Sequence, residues 1–271
     1  MKTSYFIILL ALIAFVFSSC VENVNPVPEV APELPAAEMY TMPTALGEAD
    51  TAVTMSNGNT YKNWIHSGIH LLVWNTVIVA NTAIPTAAFH LAVNETPVFI
   101  GNGTFAWSYQ YQGPLQVYNI VLTGKYINSG QDVEWVMNVS QVGGYSNFEW
   151  YRGVVATDGT EATFTVNYRP NNPASYLTIH YQKDLSNDHA SIRYTDVNTT
   201  SNSMGAYLEY RVEPTSTFNR AFDIKGGQNS PNTFIEIQWI APTGEGRVKN
   251  ADFFNDTNWH CWDQSRADTN C

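Results

Sequence analysis

From residue 97 onward, short runs of alternating apolar and polar residues follow one another almost without a break. Two clear examples are TFAWSYQY, which starts at Thr104, and ATFTVNYR, which starts at Ala162. A period of two, with many aromatic and β-branched residues, is typical of half-buried β-strands. Turn-forming stretches such as NSGQD, TDGTE and PNNP separate the runs. The pattern predicts about ten strands with short connections, which is an antiparallel β-meander. Because so long a sheet rarely stays flat, we expect it to curl into a barrel or half-barrel.

The stretch before these runs, residues 63–93, contains no Asp, Glu, Lys or Arg. In a helix, its apolar residues would occupy every side, which is typical of a helix inside a large core or across a membrane. His66 and His70, together with several Ser, Asn and Thr residues, argue against a membrane span. Pro85 would end or kink the helix. The sequence therefore predicts an apolar helical segment, one helix or two within residues 53–96, buried in the concave face of the sheet.

The first twenty residues have the pattern of an export signal. Lys2 precedes an apolar run over residues 5–17, and two serines then lead to Cys20. A charged start, a short apolar stretch and small residues at the cleavage site are typical of a signal peptide, here residues 1–19. The run is too short to span a membrane, which takes roughly 20 residues. A cysteine directly after the small residues resembles a bacterial lipoprotein signal, which implies that Cys20 becomes the first mature residue and carries a lipid. The alternative is an ordinary signal peptide.

Residues 20–52 have the composition of a linker. Between residues 21 and 50 there are five prolines, six acidic residues and no basic residue. Such a segment has too little apolar surface to form a core, so we expect an extended spacer between lipid and folded domain. Glu22 resembles part of the surface-export signal of Bacteroidetes lipoproteins. The tripeptide that begins at Asp50 resembles the O-glycosylation sequon of the same group, which implies a glycan on Thr51.

The two remaining cysteines, Cys261 and Cys271, lie close together at the end of the chain. An exported chain whose Cys20 is lipidated keeps an even number of thiols in an oxidising compartment, so these two are predicted to form a disulfide. Closing a loop of about ten residues stabilises the fold by roughly 2.5–3 kcal/mol in the chain-entropy model. A metal site using His260 and neighbouring aspartates is the alternative, but the spacing does not match structural zinc sites.

The charge balance excludes one large class of partner. The chain has 13 basic and 24 acidic residues, and its formal net charge is -11. Nucleic-acid binding depends on clustered Lys and Arg, and no basic run occurs anywhere. We therefore expect no nucleic-acid partner. The roughly 220 residues after the linker have a length that suits one domain, as all-β folds of this length often are.

The best candidates for catalysis are two glutamates, Glu134 and Glu149, each followed by tryptophan. A hairpin turning at Gly143 and Gly144 places Glu149 opposite position 138. Four residues of strand then separate the two glutamates, about 13 Å, whereas paired glycosidase carboxylates lie about 5–9.5 Å apart. His66 and His70 share a helix face, but the glutamate of a zinc-protease motif is missing. No nucleotide-binding or serine-nucleophile motif occurs either. We therefore predict no enzyme, no metal and no cofactor.

Aromatic residues are abundant, at 13% of the chain. Most must be core residues, but an excess on one sheet face could line an apolar cavity or stack on sugars. The candidates for ligand binding are Trp107, Tyr109, Tyr111, Trp135, Trp150 and Trp239.

An apolar helix inside a long curled sheet resembles the unclosed barrels with helical lids of periplasmic lipoprotein carriers. The Cys20 signal, the acidic linker and the cysteine-closed end resemble Bacteroidetes lipoproteins. These resemblances imply an exported protein anchored to the outer membrane by lipid, facing the periplasm or the cell surface. Its expected function is non-enzymatic binding of an apolar ligand or lipid. The alternatives are a surface module that binds a glycan or protein, and an enzyme of another class.

Overall fold

A computed structural model describes residues 30–42, 46, 58–113 and 115–271 of the chain. The predicted signal peptide, the predicted lipidation site Cys20 and the predicted glycosylation site Thr51 lie outside the described residues. Within the described part of the chain, no helix is both long and apolar enough to cross a membrane.

The described chain contains one long helix, one short helix and fourteen strands. The helices are α1 (Lys62–Ala92) and α2 (Ala251–Phe254). The strands are β1 (Val98–Gly101), β2 (Thr104–Gln112), β3 (Val117–Ile127), β4 (Asp132–Gln141), β5 (Phe148–Ala156), β6 (Glu161–Arg169), β7 (Asn172–Asp184), β8 (His189–Asp196), β9 (Tyr207–Val212), β10 (Arg220–Lys225), β11 (Phe234–Trp239), β12 (Gly246–Asn250), β13 (His260–Trp262) and β14 (Asp268–Thr269).

All fourteen strands belong to one antiparallel sheet, and each pairs with its neighbours along the chain in the order β1 to β14. The prediction of a mainly β chain built as an antiparallel meander is confirmed. The ten predicted runs correspond to β2 through β11. Four further strands were missed because they contain only two to five residues, too few to show an alternation. Since β1 and β14 end the order without pairing with each other, the sheet described is not a closed barrel.

The alternating residues of the strands build the core on one face of the sheet. In β4, Val133, Trp135, Met137 and Val139 are all buried, as the pleat of a strand requires. Trp135 lies opposite Gly124 of β3 on one side and Gly153 of β5 on the other. A Cβ atom on Gly124 would lie 2.9 Å from the Trp135 ring, so glycine leaves the space that the indole fills.

Helix α1 packs against this core with one side only. Leu71, Ile78 and Phe89 are buried, but the opposite side carries exposed aliphatic residues. These are Ile65, Ile69, Leu72, Val73 and Val79, with 38% to 65% of their surface exposed. The expectation of a helix buried on every side is therefore wrong. The sheet covers only the side of α1 that faces it, and a pattern that is apolar all round does not reveal this.

The N-terminus of α1 is attached to the end of the chain. The backbone N–H groups of Lys62 and Asn63 donate to the two carboxylate oxygens of Asp268 in β14, at 3.1 and 2.9 Å. The Asn63 side chain donates to the carbonyl of Cys261 at 2.8 Å. The predicted disulfide between Cys261 and Cys271 is present, with 5.3 Å between the Cα atoms. A carboxylate at a helix N-terminus satisfies free N–H groups and interacts favourably with the helix dipole.

Residues 30–42, expected to belong to an extended spacer, pack against the sheet and α1 instead. Met39 and Tyr40 are each 5% exposed, and the Tyr40 ring stacks on Phe89 of α1 at 5.2 Å. The Tyr181 hydroxyl donates to Glu38 at 2.9 Å. Composition suggested a spacer because the segment is acidic and proline-rich, yet two large apolar side chains are enough to hold it in place.

Candidate ligand-binding cavity

A cavity of about 460 Å³ lies between α1 and the ends of β7 to β11. From α1 it is lined by His70, Val73, Trp74 and Val77. These positions are spaced i, i+3, i+4 and i+7, so they form one stripe along the helix. Val73 is one of the exposed aliphatic residues of α1, with 58% of its surface exposed. The cavity therefore contains apolar surface that the protein itself does not cover.

One end of the cavity is polar because of a buried carboxylate, Asp196, at the end of β8. Its Oδ2 accepts hydrogen bonds from the hydroxyls of Ser201 and Ser203, at 3.0 and 2.7 Å. Its Oδ1 accepts from the backbone N–H of Asn198 at 2.8 Å. Asp196 follows Tyr194 and Ile192 on the inward-facing side of β8, so the pleat of the strand aims its carboxylate towards the core.

The loops at this end pack tightly around the carboxylate. Gly227, between β10 and β11, lies so close to the backbone of Ser203 that any Cβ would collide with it. Lys225, at the end of β10, is exposed at the rim of the cavity. The polar end therefore combines one buried carboxylate, hydroxyl groups and one solvated ammonium group. Such an arrangement can bind the polar head of a small molecule whose body is apolar.

Two histidines of α1 stand next to the cavity. His70 lines it, and the His66 ring meets the His70 ring edge to face at 4.7 Å. Burial lowers the pKa of His70. Burial, the neighbouring His70 and Lys62 together lower the pKa of His66 to about 4.

His66 also contacts β12 and α2. The Asn250 side-chain amide donates to Nε2 of His66 at 2.9 Å, and the same side chain accepts from the N–H groups of Asp252 and Phe253. The His66 ring stacks on Phe253 at 3.8 Å. A residue of the sheet therefore supplies the hydrogen-bond partner of His66. In the described ranges no group of three or more His, Cys, Asp or Glu residues is arranged to hold a metal ion.

Other cavities lie where residues 30–42 pack against the sheet and α1. One of about 460 Å³ lies between Met42 and the strands that carry Tyr181 and Tyr210. Another of about 400 Å³ lies on the far side of α1, between Met42 and Ile78. Neither has a buried carboxylate among its lining residues. The cavity with Asp196 is therefore the better candidate site.

The six aromatic residues predicted to bind a ligand lie elsewhere. Four of them, Trp107, Tyr109, Trp135 and Trp239, are between 0% and 9% exposed in the core, and Tyr109 donates to the Ala88 carbonyl of α1 at 2.6 Å. Tyr111 and Trp150 are partly buried. None of the six lines the cavity with Asp196. The aromatic residue that does line it from α1, Trp74, was not singled out, because nothing in its neighbourhood distinguishes it from a core residue.

The two glutamates considered for catalysis both form ion pairs with the same arginine, Arg152. The predicted register is confirmed, since Asn138 pairs with Glu149. Glu134 lies four strand positions from the residue opposite Glu149, as predicted, but the side chains of both glutamates reach the guanidinium group of Arg152, at 2.7 Å each. A β-bulge between Met137 and Asn138 interrupts the alternation of β5, so Glu149 and Arg152, three positions apart, lie on the same face. The site is on the exposed outer face of the sheet, where the three charges form a surface ion-pair network.

Three comparisons with known proteins found no match. The chain matches no protein-family model, no curated protein and no solved structure. A function for it therefore has to be derived from its own residues.

Proposed function

We propose that this chain is a non-enzymatic binding protein that holds a small, mostly apolar ligand between α1 and the concave face of a curled sheet. The observation that carries the proposal is the cavity of about 460 Å³ in which aliphatic surface of α1 remains uncovered next to a buried carboxylate. Its volume lies within the range of about 300–1,000 Å³ that is usual for small-molecule sites.

The attachments of α1 support a curled sheet. Near one end the Ala88 carbonyl is bonded to Tyr109 of β2, and at the other end Lys62 is bonded to Asp268 of β14. In a flat sheet these two strands would lie roughly 58 Å apart, at about 4.8 Å per strand. The helix between Lys62 and Ala88 is only about 39 Å long. A sheet that bends around α1, with α1 as the lid of a half-barrel, would account for this difference.

The lining favours a ligand with an apolar body and a hydrogen-bond donor at one end. Val73, Trp74 and Val77 would contact the body, which is where burying apolar surface contributes most of the binding free energy. The carboxylate of Asp196 accepts three hydrogen bonds from the residues that the structure describes. Since a carboxylate can accept about four, one position remains for a hydroxyl or amine of the ligand.

The first test is native mass spectrometry of a soluble Cys20→Ser chain purified from the exported fraction, followed by extraction with organic solvent. We expect a co-purifying small apolar molecule. If none is present, the apolar dye 1-anilinonaphthalene-8-sulfonate serves as the probe, and its fluorescence should rise on binding. A protein that neither carries a ligand nor binds the dye would contradict the proposal.

A pair of variants locates the site. Val73→Trp fills the cavity and should remove ligand and dye binding. Leu72→Trp places the same side chain one position away, on a residue that is 65% exposed and does not line the cavity, so binding should persist. Equal effects of the two variants would show that binding does not occur in this cavity.

We also propose that the chain is exported and anchored to the outer membrane through lipid on Cys20, facing the periplasm or the cell surface. The signal pattern of residues 1–20 and the disulfide between Cys261 and Cys271 support this, because disulfides persist in oxidising compartments. The mass of the N-terminal peptide tests it. An acylated cysteine is expected at the mature N-terminus, and an unmodified Cys20 within a longer peptide would refute the anchor.

A further inference from the structure

The outer face of the sheet carries a cluster of cations and aromatic rings that is separate from the cavity. Arg247 and Lys249 project from β12, and Trp259 lies just before β13, the next strand of the sheet. The guanidinium carbon of Arg247 is 4.3 Å from the ring centre of Phe218 and 4.2 Å from that of Trp259. The Lys249 ammonium is 4.4 Å from the Trp259 ring. We call these four residues, together with Gln238, the Trp259 cluster.

The guanidinium group of Arg247 is fixed in orientation. Its Nε and Nη2 both donate to the side-chain oxygen of Gln238, at 2.9 and 2.7 Å. Gln238 is the residue directly opposite Arg247 on β11. With two rings against it and two of its nitrogens bonded, the group loses little further freedom when a ligand binds.

Among the described residues, no carboxylate forms an ion pair with Arg247. Its Nη1 forms no hydrogen bond with those residues, and it is not among the buried polar atoms that lack a partner, so it faces solvent. Burial lowers the pKa of Arg247, and the more distant Glu236 only partly offsets this. Arg152, Arg193 and Arg211 on the same sheet are all paired with carboxylates.

Arg247 is thus a fixed arginine without an anionic partner among the described residues, in a chain whose net charge is -11. Guanidinium groups bind planar carboxylates through two parallel hydrogen bonds, and the free Nη1 together with the remaining N–H of Nη2 offers such a pair. Lys249, 3.4 Å from Glu236, places a second cation over the same ring. The partly exposed Trp259 places apolar aromatic surface next to the charge.

From this arrangement we propose that the Trp259 cluster binds an acidic sugar, with its carboxylate on Arg247 and its C–H surface against Trp259. The aromatic ring favours a sugar over an inorganic anion, because aromatic side chains contribute mainly through contact with carbon-bearing surface. The fork of donors favours a carboxylate over a neutral sugar. This site does not depend on the cavity or on a ligand inside it.

The test uses the soluble Cys20→Ser chain and short oligosaccharides that contain a hexuronic acid or a sialic acid. The control ligand is the same oligosaccharide with its carboxyl group reduced to an alcohol. Binding is measured by titration calorimetry and by Trp fluorescence at low and physiological salt. We expect the acidic form to bind at least tenfold more tightly than the reduced form, with affinity falling as salt rises.

Variants connect binding to the cluster. Arg247→Gln and Trp259→Ala should each lower the affinity at least tenfold, and Arg247→Lys, which keeps the charge but not the fork, should lower it as well. Arg169→Gln is the matched control, because Arg169 also lies against an aromatic ring, that of Tyr168 at 4.5 Å, on a different strand. It should bind like the parent chain. Thermal unfolding of every variant confirms that the fold is retained.

Three results would overturn the proposal. The first is equal binding of the acidic and the reduced oligosaccharide. The second is inorganic phosphate or a poly-glutamate peptide binding as tightly as the acidic sugar, which would make the cluster a general anion site or a peptide site. The third is binding that Arg247→Gln leaves unchanged.

Discussion

The two ends of α1 are held by different kinds of interaction. The N-terminal end is held by polar contacts, in which Asp268 accepts from the helix backbone and Asn250 donates to His66. The C-terminal half is held by aromatic packing, in which Phe89 lies against Tyr40 and Tyr151. The cavity with Asp196 borders the helix between these ends. Fixing a helix at both ends while leaving part of its middle uncovered allows a binding site beside it without loosening the fold.

The largest expected effect on stability is at the C-terminal end of α1, which is held by aromatic packing. Phe89 is 2% exposed and lies 5.2 to 6.2 Å from the rings of Tyr40, Tyr151 and Trp135. Phe89→Ala should lower the free energy of unfolding by about 3–5 kcal/mol, because it removes buried surface and leaves a cavity. Urea denaturation of the soluble chain measures it.

The matched control for Phe89→Ala is Leu72→Ala on the exposed side of the same helix. It should change the free energy of unfolding by no more than about 0.5 kcal/mol. If the two variants cost the same, α1 is not held mainly by its buried aromatic end, and the contrast between its ends fails.

A smaller effect on stability is expected at the N-terminal end of α1, which is held by polar contacts. Asp268→Asn keeps one side-chain oxygen near the N-terminus of α1 but removes the negative charge that both N–H groups contact. We expect a loss of about 1–2 kcal/mol, as for other helix N-terminal carboxylates. Asp188→Asn is the control, because Asp188 lies in a turn with φ 56°, a conformation that asparagine also adopts. A loss of 3 kcal/mol or more for Asp268→Asn would mean that the polar end is as important as the aromatic one.

A pH dependence is expected at the same end. The pKa of His66 in the folded protein is about 4, below the ordinary 6.5. Between these values the unfolded chain binds the proton and the folded one does not. The stability that the neutral His66 contributes is therefore complete above pH 6.5 and is lost as the pH falls towards 4.

His66→Gln keeps a hydrogen-bonding side chain next to Asn250 but does not titrate. We expect its unfolding free energy, measured by urea denaturation from pH 7 to pH 4, to fall less steeply than that of the parent chain. His70 and Lys62 are the other titratable groups next to His66, so His66→Gln/His70→Gln extends the comparison. His90→Gln, at the exposed last turn of α1, should leave the profile unchanged. Parallel profiles for His66→Gln and the parent would contradict the assignment.

The alternation of apolar and polar residues was enough to predict the strands that are long enough to contain it. The ten predicted runs are β2 to β11, and the hairpin at Gly143 placed Glu149 opposite Asn138 as expected. The meander order and the disulfide were also predicted, because each depends on residues that are close together in the sequence. The short strands at the end of the sheet depend on pairing with β12, which no local pattern reveals.

The cavity could not be predicted because it depends on where α1 lies. A helix with apolar residues on every side gives no sign of which side will face the sheet, and the exposed side of α1 was expected to be buried. Asp196 ends an ordinary alternating strand, and its environment is created by a loop that folds back and by a helix more than a hundred residues earlier in the chain. The Trp259 cluster joins residues from two strands and two loops that share no motif.

The bonds between Asp268 and the start of α1 join residues 206 and 205 positions apart. Every strand pairing of the described sheet, by contrast, joins strands that are neighbours along the chain. When such a chain emerges gradually from a ribosome or a translocation pore, its hairpins can form one after another in the order of synthesis. The first turn of α1, although made early, cannot form its bonds to Asp268 until thirteen of the fourteen strands have been made. A chain that stops before Asp268 would therefore keep the packing of Phe89 but lose the hydrogen bonds that Lys62 and Asn63 donate to that carboxylate.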